Sequence, residues 1–155
     1  AEIIMIDMDE NRLQVAKTFG ATKTVNSGDG KAVEAVLALT AKGEGVDVAI
    51  EAVGVPSSFL TCQGIIAPGG RIANIGVHGK PVELHMEKLW DRNIAITTRL
   101  VDTVTIPMLL KVVQSGKLDA KKLSTHVFNL SEVVEAYETF GNAAKEKALK
   151  VILRG

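Results

Sequence analysis

The sequence has few of the residues that would tie it to several large classes of protein. It contains one cysteine in 155 residues, so it can form neither an internal disulfide nor a zinc site built from thiolates. Its 18 Lys and Arg balance its 18 Asp and Glu, for a formal net charge of zero. Because nucleic acids and anionic membranes are bound through a positive field, the composition argues against both as main partners.

Long apolar runs and a secretory signal are also missing. No stretch approaches the roughly 20 apolar residues of a membrane span, and the first residues lack the basic, apolar and small-residue order of a signal peptide. The content of 46% hydrophobic and 23% charged residues is that of an ordinary folded protein. We therefore expect a cytoplasmic protein. Because Ala1 opens directly on an apolar run, we also expect that further residues precede it.

Short apolar runs alternate with helical patterns along the first hundred residues. Strands are predicted at residues 2–7, 22–26, 46–53, 71–77 and 94–100. Helices are predicted at residues 10–19, 31–41 and 56–67, the last one stopped by Pro68, Gly69 and Gly70. Strands separated by helix-length segments indicate βαβ units, so the sequence predicts an α/β fold with a doubly wound, mainly parallel sheet.

The pattern of predicted strands and helices changes after Asp102. A helix is predicted there with an apolar face formed by Ile106, Leu109, Leu110 and Val113. Strands follow at residues 125–130 and 149–153, and Ser131 is placed to cap a helix between them. We expect residues 1–102 to form one part and residues 103–155 another. Periodicity leaves open whether the second part extends the first sheet or belongs to a different body.

Asp7 lies at the carboxyl end of the first predicted strand, where doubly wound sheets bind the ribose of a dinucleotide. A carboxylate there accepts hydrogen bonds from the 2′ and 3′ hydroxyls and repels a 2′-phosphate, so the position favours NAD over NADP. Arg12, one helical turn on, is placed for the ribose or adenine edge. Alternatively, Asp7 and Asp9 cap the next helix, whose first N–H groups need acceptors.

The glycine-rich phosphate-binding turn of such folds does not occur in the sequence. Gly28 and Gly30 lack the third glycine of GxGxxG, and Gly43 and Gly45 precede a strand instead of following one. The turn normally comes about 20 residues before the acid, which would place it upstream of Ala1. The opening strand is therefore predicted to be the second strand of the fold.

Two later strands run into glycine near the edge of the sheet where ligands bind, in Glu51-Ala52-Val53-Gly54 and Asn74-Ile75-Gly76-Val77. Glycine lets a planar ring approach the backbone. Either glycine alone is more typical of a strand end, but two on successive strands favour a cofactor cleft.

No residues are predicted to be catalytic or to bind a metal. No GxSxG elbow occurs. His78, His85 and His126 show no metal-ligand spacing, and Cys62 falls within a helical pattern, so we expect structural roles for all four.

Five segments in this order resemble the C-terminal part of the zinc-containing alcohol dehydrogenases of the medium-chain dehydrogenase/reductase family: IDMDENRLQVAKTFGAT, GVDVAIEAVG, PGGRIANIGV, NIAITTRLVDT and KALKVIL. The resemblance covers essentially the whole chain. It implies a Rossmann-like sheet lacking its first βα unit, joined to a C-terminal α/β segment that packs on the catalytic domain.

The resemblance also implies the chemistry of the parent protein. It implies NAD as cofactor, an alcohol or aldehyde as substrate, and a homo-oligomer, either a dimer or a tetramer. The family's zinc ligands and proton relay belong to its N-terminal part, which nothing here matches, so zinc would be bound outside this chain. We expect the chain alone to be inactive.

Individual positions follow from the same resemblance. Asp7 matches the acid that holds the adenosine ribose, Arg12 the basic residue beside it, and Lys150 a basic group near the pyrophosphate. The remaining cofactor-binding residues that it implies are Ala52, Val53 and Gly54 in the cleft for the adenine-side ribose and nicotinamide, Ile75, Gly76 and Val77 at the nicotinamide, and Thr98 and Leu100, whose backbone fixes the carboxamide. Arg99 departs from the small residues common in similar sequences, and a long cation there could alter the choice of substrate.

Two other functions stay open at this point. One is a zinc-independent quinone or enoyl reductase of the same superfamily, although the preference of those enzymes for NADPH counts against it because of Asp7. The other is a non-catalytic nucleotide-binding or assembly module, in which residues 94–101 form an edge strand that pairs with another subunit.

Overall fold

The computed structural model describes residues 1–100 and 103–155 and shows strands alternating with helices. Up to residue 100 the elements are β1 (Ile4–Asp7), α1 (Glu10–Thr18), β2 (Lys23–Asn26), α2 (Ala32–Leu39), β3 (Val46–Glu51), α3 (Pro56–Ile65), β4 (Ile66–Asn74), α4 (Met86–Leu89) and β5 (Ala95–Thr98). From residue 103 they are α5 (Ile106–Gln114), β6 (Ser124–Asn129), α6 (Val133–Gly141), α7 (Ala143–Glu146) and β7 (Lys150–Arg154). Short 3₁₀ turns cover Ala41–Gly43, Ala120–Leu123 and Leu130–Glu132.

The described residues group into two units. One contains residues 1–8 and 22–100, and the other contains residues 9–21 and 103–155. The boundary expected after Asp102 falls on a residue outside the described part of the chain. The observed grouping differs from the expected one in residues 9–21, which include α1 and belong to the unit that holds the C-terminal elements.

The first unit contains two separate parallel sheets. β1 pairs with β2, while β3, β4 and β5 form a three-stranded sheet in that order. In the doubly wound strand order 3-2-1-4-5-6, the first strand lies between the second and the fourth. The two sheets therefore correspond to the two sides of such a sheet, and β1 occupies the place of a second strand, as the sequence predicts.

One apolar core joins these two sheets. Alternate residues of the strands face it, so Ala49 and Ile72 are buried while Ile50 on the other face of β3 is 62% exposed. The helices α2 and α3 cover the buried face. The core consists of Val25, Ala32, Val36, Ala49, Phe59, Cys62, Ile65, Ile66, Ile72 and Leu89.

The second unit contains the sheet formed by β6 and β7, which are also parallel. Its helix α1 is capped by Asp9, whose carboxylate accepts hydrogen bonds from Asn11 N at 2.8 Å and Arg12 N at 3.3 Å. The predicted helix after Asp102 is present as α5, but its apolar residues are exposed, with Leu109 at 51%.

Two local expectations were wrong. The helix predicted at residues 56–67 ends at Ile65, and Pro68, Gly69 and Gly70, expected to stop it, lie inside β4, where the pairing with β3 jumps from Ile66 to Arg71. The intervening residues bulge out of the ladder, where a proline without an N–H is tolerated.

The second error concerns the role of Ser131 as the cap of α6. Ser131 lies within the 3₁₀ turn that precedes α6, and the start of that turn is capped by a reciprocal box in which Asn129 N donates to Glu132 Oε2 at 2.7 Å. The box matches the S/T/N-x-x-E spacing, which places the start of the turn two residues before Ser131.

Candidate functional site

The three strands of the larger sheet end at one level. Glu51 of β3 pairs with Asn74 of β4, and Asn74 pairs with Thr98 of β5. Because the strands are parallel, their following segments emerge at the same edge, where open α/β sheets bind ligands. We call residues 52–55 the β3 loop and residues 75–78 the β4 loop.

The two loops interlock at a pair of glycines. Gly54 has φ +86° in the left-handed region, and a Cβ there would overlap the backbone of Val77. A Cβ at Gly76 would overlap the Glu51 carboxylate and the backbone nitrogen of Gly54. Both glycines are therefore required by the close approach of one loop to the other, a different reason from the approach of a ligand ring expected from the sequence.

A buried carboxylate holds both loops. Glu51 is 1% exposed, and its Oε1 accepts hydrogen bonds from Val53 N at 2.9 Å and Gly54 N at 2.8 Å. Its backbone carbonyl accepts from Ile75 N at 2.8 Å and Gly76 N at 3.1 Å. One residue at the end of β3 therefore fixes the backbone of both loops.

Ser58 in the first turn of α3 completes the bonding of Oε1. Its Oγ lies 2.5 Å from Glu51 Oε1 and 2.9 Å from the Val55 carbonyl. A hydroxyl has one hydrogen to donate, and the carboxylate is the stronger acceptor of the two. The hydroxyl therefore ties the start of α3 to the same carboxylate.

His78, at the end of the β4 loop, closes the network from the other side. Its Nε2 lies 2.8 Å from Asn74 Oδ1 and 3.2 Å from Glu51 Oε2. Asn74 Nδ2 in turn donates to the Gly76 carbonyl at 3.2 Å, which orients the amide so that Oδ1 is an acceptor. Because Nε2 faces two acceptors, it carries the proton. His78 Nδ1 is buried and has no hydrogen-bond partner among the described residues.

The network also sets the ionisation of its neighbours. Burial raises the pKa of the Glu51 carboxyl, but hydrogen bonds from Ser58, Gly54 and Val53 and the charge of His78 outweigh it, so that the pKa lies below its ordinary value. Burial, and then the negative charge of Glu51, raise the pKa of the Cys62 thiol to about 11. Glu51 is therefore an ionised carboxylate at neutral pH, and Cys62 is a neutral thiol.

A cavity of about 300 Å³ opens beside the β4 loop. Its walls combine apolar side chains with a few polar groups, the composition typical of small-molecule and cofactor sites. The lining residues are Asn74, Ile75, Gly76, Val77, Thr98, Arg99 and Leu100. Val77 is 81% and Leu100 is 77% exposed, so this surface can receive a flat, partly apolar ring, with amide and hydroxyl groups nearby for its polar substituent.

Eight of the eleven predicted cofactor-binding residues fall into three places. Ala52, Val53 and Gly54 lie in the β3 loop, and Ile75, Gly76 and Val77 lie in the β4 loop. Thr98 ends β5, and Leu100 follows it at the cavity. These eight residues come together at one edge of the sheet.

The other three residues, Asp7, Arg12 and Lys150, belong to other elements. Asp7 ends β1 in the first unit, whereas Arg12 and Lys150 belong to the second unit. The carboxylate that caps α1 is that of Asp9, and Arg12 Nε lies 3.9 Å from Asp9 Oδ2. Capping, the alternative role considered for both acids, is thus performed by Asp9.

The most constrained residues of the site were not predicted to belong to it. They are Glu51, Ser58, Asn74 and His78, of which only His78 was given a role, a structural one. A signal for Glu51 was available, because alternation along β3 puts residue 51 on the same face as Ala49, which is the core. An acid at a core position requires several donors around it. No local signal links it to His78, which lies 27 positions along the chain.

Within residues 1–100 and 103–155, no group of three or more His, Cys, Asp or Glu side chains is placed to hold a metal ion. The helices of this part of the chain are also too short or too polar to cross a membrane.

A family model described as zinc-binding dehydrogenase matches residues 1–115. Among curated proteins, an alcohol dehydrogenase of Cupriavidus necator is 31% identical over 156 residues, which cover 98% of this chain and 42% of that protein. A sorbitol dehydrogenase of Arabidopsis thaliana is 32% identical over 157 residues, covering 97% and 42%. The chain thus spans less than half the length of the curated relatives that it matches.

Solved structures give the same result for the fold. The zinc-dependent alcohol dehydrogenase 2 of Streptococcus pneumoniae, in its apo form, is 54% identical with a TM-score of 0.93, over 99% of this chain and 44% of that one. An alcohol dehydrogenase of Thermus sp. ATN1 is 27% identical with a TM-score of 0.86, over the same shares of the two chains. The separate sheets of the first unit are therefore parts of a Rossmann-like α/β fold.

Proposed function

Because the chain belongs to the zinc-binding dehydrogenase family, we propose that it is the cofactor-binding part of an NAD-dependent alcohol dehydrogenase, which transfers hydride between an alcohol and nicotinamide. The observation that carries the proposal is the cavity at the carboxyl edge of β4 and β5, walled by the β4 loop. The catalytic activity belongs to the whole protein, of which this chain supplies a part.

The residues at the cavity fit a nicotinamide ring. Ile75, Val77 and Leu100 present apolar surface, while Thr98 and the Asn74 amide offer polar groups for a carboxamide. When NAD is bound, its ring accepts the hydride. The β3 and β4 loops bind and orient it, and their apolar side chains exclude water from one side of the ring.

Asp7 supports NAD as the cofactor in place of NADP. It ends β1, the second strand of the fold, where a carboxylate accepts hydrogen bonds from the ribose hydroxyls and repels a 2′-phosphate. Arg12 is proposed to lie beside that ribose, and Lys150 near the pyrophosphate.

The unpaired edges of the two sheets support the proposal that a further strand lies between them in the whole protein. Within the described residues, β1 pairs only with β2, and β3 pairs only with β4. We infer that another part of the whole protein supplies the strand between them, together with the glycine-rich turn that binds the pyrophosphate. We propose that the catalytic domain of the whole protein covers the exposed apolar face of α5.

Zinc does not fit the residues described, since they offer no group of three suitable ligands. We therefore propose that the ligands of a zinc ion would lie outside this chain. The proposed substrate is an alcohol or aldehyde, and the proposed assembly is a cytoplasmic homo-oligomer, either a dimer or a tetramer.

The test is a titration of the full-length protein with NAD and NADP, together with an assay of alcohol oxidation that is monitored through the formation of NADH. Asp7→Asn should weaken NAD binding about tenfold, because a charged hydrogen bond contributes roughly 1.5–3 kcal/mol, and should reduce the preference over NADP. Asp47→Asn is the matched control, since Asp47 is exposed at the opposite end of β3. A full-length protein that binds neither cofactor would refute the proposal, and unchanged binding by Asp7→Asn would refute the role of Asp7.

A further inference from the structure

We call Ile75, Gly76 and Val77 of the β4 loop the nicotinamide wall of the proposed site. The side chains of this wall are too exposed to fix its backbone by packing. Ile75 and Val77 are 55% and 81% exposed, so packing of their side chains does little to fix the β4 loop. The β4 loop is fixed instead from behind, by the Glu51 carbonyl, by the Asn74 amide and by the contact of Gly76 with Gly54. The groups that hold Glu51 and Asn74 in place therefore determine the position of the nicotinamide wall.

His78 contacts both of those residues. Its Nε2–H is shared between Asn74 Oδ1 at 2.8 Å and Glu51 Oε2 at 3.2 Å. Within the described part of the chain, it is the one basic side chain within ion-pair distance of Glu51. The other donors to the carboxylate all bind Oε1, so without His78 the buried Oε2 loses the hydrogen bond that compensates for its burial.

We propose that His78 is a positioning residue for the nicotinamide end of the cofactor, which locks the β3 and β4 loops into one wall by donating from Nε2 to Glu51 and Asn74. The inference rests on the proposed function and deepens it, because it assigns the placement of the wall to a residue outside the cavity lining. The chemical requirement is one N–H at the position of Nε2, with no need for a second nitrogen, since Nδ1 has no partner among the described residues.

The competing explanation is that the imidazole only fills space. The ring packs edge-on against Phe59, with ring centroids 6.1 Å apart, and an aromatic ring without nitrogen would satisfy that contact. Two substitutions separate the explanations. His78→Phe keeps the aromatic packing and removes the N–H, whereas His78→Gln loses the ring and places an amide N–H near the position of Nε2.

The experiment uses the full-length enzyme and measures KM for NAD and kcat for the alcohol. His78→Phe should raise KM for NAD about tenfold while kcat falls much less, because the loss of a hydrogen bond to a charged group is of that size. His78→Gln should restore KM to within about threefold of wild type by the same reasoning. His85→Gln is the matched control, since His85 makes its side-chain bonds to Glu83 and Glu87 away from the cavity.

A second measurement does not depend on the cofactor. Hydrogen exchange of the cofactor-free enzyme should show faster exchange at the amides of Gly54 and Gly76 in His78→Phe, in both loops together, and near-normal exchange in His78→Gln. Unchanged exchange and KM in His78→Phe, or equal damage in both variants, would overturn the inference. A wild-type enzyme that binds neither NAD nor NADP would instead refute the proposed function, and the exchange data would still decide whether His78 locks the loops.

Discussion

Adding one methyl group at Gly76 is the sharpest perturbation that the site allows. A Cβ there would overlap the Glu51 carboxylate and the Gly54 nitrogen and lie 2.9 Å from Gly54 Cα. Gly54 has no room to retreat, because its own Cβ position is filled by the backbone of Val77. Gly76→Ala must therefore either separate the two loops or push the carboxylate off its donors.

The size of the effect follows from these two routes. Overpacking a tightly packed site costs about 1–3 kcal/mol, and a buried donor or acceptor left without its partner costs about 1–3 kcal/mol. Whichever route is taken, the free energy of unfolding should thus fall by about 1–3 kcal/mol, a large part of a typical total of roughly 5–15 kcal/mol. Gly79 has open space around its Cβ and no positive φ, so that Gly79→Ala should be neutral or stabilise by about 0.4–1 kcal/mol.

The comparison is made in the full-length protein by urea unfolding followed by circular dichroism, with both variants beside wild type. NAD affinity is measured in parallel and should be weakened only in Gly76→Ala. The reasoning fails if Gly76→Ala lies within about 0.5 kcal/mol of wild type, the range of an ordinary surface substitution. It also fails if Gly79→Ala is destabilised as much as Gly76→Ala.

Three further predictions concern charge, reactivity and capping. The folded-state pKa of Glu51 lies below its ordinary value of 4.5, so its contribution to stability is present above pH 4.5 and is lost as the pH falls through the folded-state value. The free energies of unfolding of wild type and Glu51→Gln, measured in urea, should therefore converge in acid. A difference that stays constant with pH would contradict this. The Cys62 thiol, with its pKa near 11, should react with iodoacetamide far more slowly at pH 8 in the native protein than in urea, and equal rates would show that it is accessible. Its neutral form stabilises the fold below the ordinary pKa of 9.0, and that contribution is lost as pH rises towards 11. Asn129→Ala should destabilise by about 1 kcal/mol through loss of the capping box, while Ser131→Ala should not, and the reverse order would refute the assignment of the cap.

The alternating sheet and helices could be predicted because they depend on local signals. The apolar runs that became β1, β3 and β5 lie next to helical patterns along the chain. Pro68 and Gly70 could not be placed from local signals, since it is the pairing of β4 with β3 that draws them into a strand as a bulge.

The sequence indicated the edge of the sheet at which eight of the candidate residues lie, but not the contacts behind them. Gly54 and Gly76 were identified because both strands end near them, but the space around them is filled by protein. The hydrogen bonds from His78 to Glu51 and Asn74 depend on the path of the β4 loop, which brings His78 next to the end of β3. Such long-range contacts produce no periodic pattern in the sequence. The sequence therefore does not indicate that His78 and Glu51 are in contact.

The split sheet of the first unit also bears on how the whole protein could be assembled. β1 and β3 share one core, yet each presents an unpaired edge within the described residues, so a strand entering between them would gain hydrogen bonds on both sides at once. Such a slot is suited to fragment complementation. A separately expressed N-terminal piece should recover NAD binding when mixed with this chain, and the association should be the more stable because a single strand would satisfy two edges.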